Sequence, residues 1–60
     1  MPSDETRRLL KAFGVAVTNL EDAIDGKASV EDIVKLDTEL AERMRDVTAF
    51  VERLRSRRIA

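Results

Sequence analysis

"AIDGKASVED", residues 23–32, decides how this chain folds. It carries one of only two glycines and separates two long stretches of apolar periodicity. Read as a connection, Gly26 follows the last apolar residue of a first helix, where a residue in the left-handed region closes the final turn. Ser29 then caps a second helix, with the acidic Asp32 three residues on, close to a capping box. One helix stops and another starts within about four residues, and so short a connection makes them antiparallel neighbours. Read as a site, the same segment fails. An EF-hand needs alternating oxygen ligands before its glycine and a glutamate six residues after it. Asp22-Ala23-Ile24-Asp25-Gly26 lacks the alternation, and Asp32 occupies the last place. The segment reads as a hinge, with a weak divalent-ion contact as the alternative.

Upstream, Leu10, Phe13, Val17, Leu20 and Ile24 are spaced 3, 4, 3, 4, an a/d heptad seam. Leu9, Ala16 and Ala23 fall on the adjoining g column and widen the stripe, which suits a bundle better than a narrow two-stranded coiled coil. Ser3 is the expected N-cap, with Asp4 and Glu5 in the first turn where the helix dipole favours negative charge. Downstream, Val30, Ile33, Leu40, Met44, Val47, Val51 and Leu54 repeat the a/d spacing, with Asp37 on one a position. Val34 and Ala41 widen that stripe on the e side, Leu36 and Phe50 on the g side. The pattern predicts one all-α domain over residues 1–60: helix 1 over about 4–25, a turn at 26–29, and helix 2 over about 30–57. Their lengths would be roughly 33 and 42 Å.

The composition narrows the classes. Sixty residues with no cysteine and no histidine offer neither a disulfide nor the usual zinc spacings. Chains this small usually need a staple, a metal or a partner, so self-association becomes the leading expectation. At 43% hydrophobic and 38% charged the chain is too apolar for a typical disordered tail and too often interrupted by charge to span a membrane. No leader pattern is visible at Met1, and the expected location is cytoplasmic.

A hairpin that buries the a/d seams sets Leu10 beside Met44, Phe13 beside Ala41, and Val17 beside Asp37 and Leu40. It leaves Leu9, Ala16, Val34, Leu36 and Phe50 on the flanks, and Val51 and Leu54 on an overhang of helix 2. These seven residues are the expected chain-to-chain contact, since exposed apolar surface of that extent marks an interface. Two hairpins packed face to face make a four-helix bundle. Residues 21–42 contain eight acids and two bases, whereas residues 43–60 carry a net charge of +4. The molecule therefore has an acidic turn pole and a basic terminal pole, and turns at opposite ends would set acid beside base.

Few residues carry chemistry. Without histidine or cysteine, and without a deep cleft, no catalytic residue, metal ligand or cofactor is expected. Asp37 on a seam is costly unless paired or wet. It either leans to the rim near Thr18 or Asn19, fixes the register as polar a residues do, or serves as a functional carboxylate. Gly14, inside helix 1, fits either close approach of a partner helix or tolerance at an exposed position. Arg53, Arg55, Arg57 and Arg58 form the sequence "ERLRSRR" and are candidates for a second partner or for phosphate. They spread over several helical faces with no aromatic interleaved for base stacking. A solvated helix end whose cations suit the dipole is the simpler reading.

In overall plan, two helices of similar length in about sixty residues, the chain resembles the plasmid copy-number RNA-binding hairpin protein. That resemblance is of architecture, with no shared residue motif. "GKASVEDIV", residues 26–34, resembles the turn of the exonuclease VII small subunit, but the residues before Gly26 lack its acidic leucine-glutamate-x-glycine lead-in. Neither likeness assigns a family. The expected function is a non-enzymatic interaction module, a homodimer acting as regulator, adaptor or accessory subunit. It would bind itself and another protein. A nucleic-acid binder using the arginine pole is the less favoured alternative, and no membrane partner is expected.

Overall fold

Both helices begin on a serine. In a computed structural model that describes residues 1–59, α1 runs Asp4–Asp25 and α2 runs Val30–Ile59. Ala60, the last residue of the expected domain, lies outside the described residues. Ser3 is extended, at φ −71° and ψ 165°, and its Oγ accepts from the Thr6 N–H at 3.1 Å. Ser29 Oγ accepts from the Asp32 N–H at 3.2 Å. Each hydroxyl satisfies one of the amide donors that a helix start leaves without a partner. Asp4 and Glu5, then Glu31 and Asp32, follow in the first turns, where the dipole favours them.

The turn is a Schellman motif. Ala28 N–H donates to Ala23 C=O at 2.8 Å and Lys27 N–H to Ile24 C=O at 3.2 Å, the six-to-one and five-to-two bonds of that motif. The residue in the left-handed region is Lys27, at φ 58°, not Gly26 as the sequence suggested. Gly26 keeps the helical hand, at φ −83° and ψ 2°, and donates to Asp22 C=O at 2.8 Å. The chain reverses one residue later than expected because Gly26 still completes a helical bond. A Cβ on Gly26 would stand 3.0 Å from the Asp22 oxygen, so the glycine suits the close approach there.

The two helices pack antiparallel, as the short turn requires. Their seam is rotated from the expected one by a single column. On α1 the covered side chains are Leu9, Phe13, Ala16, Leu20 and Ala23, the d and g columns. On α2 they are Ile33, Leu36, Leu40, Arg43, Val47 and Phe50, again d and g, with Ala41 and Val51 half-covered on the adjoining columns. The a residues Leu10, Val17, Ile24 and Met44, expected inside, are exposed. Two physical reasons favour the rotation. It sets the small Ala16 and Ala23 of α1 against the branched side chains of α2, so that sizes alternate across the seam. It also turns Asp37 out to solvent instead of burying an unpaired carboxylate. Arg43 takes a seam position in exchange and solves it by laying its stem along the seam and its charge at the edge. There Nε donates to Asp46 Oδ2 at 3.1 Å, and Nη2 reaches Glu42 Oε2 at 3.5 Å.

The resulting body measures 47 × 19 × 12 Å. Its thinnest dimension is about one helix diameter, so the hairpin is a single layer. Among the described residues only Ala16 and Phe50 are buried, at 8% and 7% exposure. Folded domains are ordinarily built from at least two packed layers around one core.

Candidate interaction surfaces

In an antiparallel pair, the columns just before the seam on both helices share one face, and the columns just after it share the other. The first of these faces is polar. One shallow groove on it runs between Arg8, Ala12, Val15 and Asn19 of α1 and Glu39 and Arg43 of α2. Nearer the chain ends, Glu5, Leu9, Asp46 and Phe50 line a second. There Arg53 Nη2 donates to Glu5 Oε2 at 3.4 Å, and the same guanidinium lies 5.5 Å from the centre of the Phe50 ring. Arg53 thus ties the start of α1 to α2 by a solvent-exposed ion pair, while its cation–π contact with the buried Phe50 stays within α2.

The opposite face is apolar and bare. It carries Leu10, Val17 and Ile24 from α1, exposed by 56%, 40% and 54%. From α2 it carries Val30, Val34 and Met44, exposed by 77%, 57% and 53%. Ala41 and Val51 lie on the same face, half-covered. Asp37 is the one acidic side chain in the α2 column, exposed and with no ion-pair partner among the described residues. Gly14, at the edge of the face, has open space where a Cβ would stand.

The rotation redistributes the seven residues expected at a chain-to-chain contact. Ala16 and Phe50 are already buried within one hairpin, and Leu9 and Leu36 are half-buried in the same seam. Val51 is half-buried, while Val34 and Leu54 are exposed. Leu10, Val17, Ile24 and Met44 were legible as apolar stripe positions but not as surface. The signal that distinguishes them is Asp37, which shares their column and belongs in water.

The basic pole is a helix end rather than a pocket. Arg57 and Arg58 sit in the last turn of α2, where cations suit the dipole. No ion pair to Arg55, Arg57 or Arg58 occurs among the described residues. A shallow groove between Glu5, Phe50, Arg53 and Arg57 opens beside them. Among the described residues, no group of three or more carboxylates is placed to hold a metal ion, and no helix is long and apolar enough to cross a membrane. No family model, curated protein or solved structure matches this chain.

Proposed function

We propose that this chain is a small non-enzymatic protein–protein interaction module that works as a helical-hairpin homodimer. Its role is that of a regulator, adaptor or accessory subunit in the cytoplasm. The observation that carries the reading is the bare face on a body one helix thick. Side chains such as Leu10, Ile24 and Val34 are more than half exposed, with nothing behind them. A single layer with two buried residues among those described does not close a core, and a second layer of the same kind does. Two hairpins stacked on this face form a four-helix bundle. The outer polar faces and the charged poles then remain free for another protein.

Sedimentation equilibrium, with helicity followed in parallel, tests this reading. At about 50 mM and about 500 mM salt the screening length falls from roughly 14 to roughly 4 Å. A helical dimer that loosens in high salt is expected. A fully helical monomer at all concentrations overturns the proposal. Arg55, Arg57 and Arg58, with no ion pair among the described residues, support a second reading, a nucleic-acid binder acting through this pole. That reading expects retention on nucleic acid that weakens steeply with salt and is lost when these arginines become alanine.

A further inference from the structure

We infer that the bare face is self-complementary: a second copy covers it with its turn at the opposite end, related by a two-fold axis that crosses the helices at Val17 and Glu39. This inference rests on the homodimer reading and adds its geometry. Three observations carry it.

The exposed columns are symmetric along each helix. On α1, Leu10 and Ile24 stand seven residues either side of Val17. On α2, Val34 and Met44 stand five residues either side of Glu39, Asp37 and Ala41 two, and Val30 and Thr48 nine. The two centres also lie at one level of the hairpin. Glu39 lines a groove with Ala16 and Asn19, which bracket Val17 along α1. A single axis in the plane of the face, perpendicular to the helices, therefore maps the α1 column onto itself and, on α2, the column of Val30, Asp37 and Met44 onto the adjoining column of Thr48, Ala41 and Val34. It sets Leu10 against the partner's Ile24, Val17 against the partner's Val17, and Val34 against the partner's Met44.

Charge selects this axis over one parallel to the helices. Residues 21–42 hold eight acids and two bases, while residues 43–60 hold six bases and two acids. The perpendicular axis puts the basic end of α2 at the partner's turn end: Arg43 and Arg45, four and six residues past Glu39, come level with the partner's Glu21 and the partner's Asp22, four and five residues past Val17, and arginines 53–58 overhang beyond them. A parallel axis would stack turn on turn, acid on acid. Complementary poles of this kind fix orientation and suppress the wrong docking.

The chain has no cysteine, so single substitutions report cleanly. Val17→Cys, oxidised or treated with a short bis-maleimide, is expected to link as a dimer. Leu10→Cys alone is expected to stay unlinked, because its copies would lie about 20 Å apart along the helices. An equimolar mixture of Leu10→Cys and Ile24→Cys chains is expected to link. Circular dichroism confirms that each variant keeps its helicity. A dimer in which Val17→Cys links only to Ala41→Cys overturns the perpendicular axis and leaves the homodimer reading standing. A monomer by sedimentation overturns both.

Discussion

One face of the hairpin is laced by side chains and the other is left open. On the polar face, Arg53 joins Glu5, and Arg43 joins Asp46 and Glu42. No ion pair crosses the apolar face among the described residues. Exposed ion pairs contribute little to stability, so the laced face holds register more than it supplies energy. The energy of burial lies in the seam and, in reserve, on the open face. A hairpin built this way is half of a core. Its marginal part is where another chain adds most.

The sharpest way to break this comparison is at the seam. Phe50→Ala removes the larger of the two side chains buried among the described residues and leaves a cavity beneath Arg53. The expected loss is about 3 kcal/mol of unfolding free energy, read by urea denaturation at fixed chain concentration. A loss under about 1 kcal/mol would mean the seam is not where the hairpin is held.

The open face comes next. Val17→Asp sets two carboxylates near the proposed axis, each facing the other without a base. The expected rise in the dimer dissociation constant is about 30-fold, equivalent to about 2 kcal/mol, measured by sedimentation equilibrium. An unchanged constant would place the contact between chains on another surface.

The turn belongs to both faces, and its weak point is Lys27. A side chain at φ 58° carries the left-handed strain that glycine avoids. Lys27→Gly is expected to stabilise the chain by about 0.5–1 kcal/mol, with part of the strain relief offset by the freer unfolded backbone. Thermal melting at fixed concentration reads the shift. A lower melting temperature would show that Lys27 serves the turn through its charge among the acids around it.

Caps, helix hand-over and apolar periodicity were legible because each is local. Ser3 and Ser29 are read from their own neighbours three residues on, and the structure has both hydroxyls bonded there. The seam was not legible in the same way. On each helix the apolar stripe is wider than a two-column seam, and α1 alone does not say whether Leu10 or Leu9 faces inward. That choice depends on the facing helix: alanines at 16 and 23 accept leucine and isoleucine, and Asp37 rejects burial. The position of the left-handed residue failed for a smaller reason. Glycine marks a helix end, but whether it stands at the cap or one place beyond depends on which amide makes the last helical bond.

The smallest expected effect tests whether the laced face carries energy at all. Glu5 and Arg53 are each 62% exposed in their side chains, and their contact is 3.4 Å. Water competes for both groups, and holding two long side chains in one arrangement costs rotamer freedom. Glu5→Gln keeps the shape and removes the charge, and it is expected to change unfolding free energy by less than about 0.5 kcal/mol. Arg53 would still cover the Phe50 ring through its cation–π contact. Urea denaturation at low and high salt separates the contributions. A loss above about 1 kcal/mol that vanishes in high salt would make the ion pair a principal support of the hairpin and weaken the contrast between its faces. A loss that salt leaves unchanged would point instead to packing around Phe50.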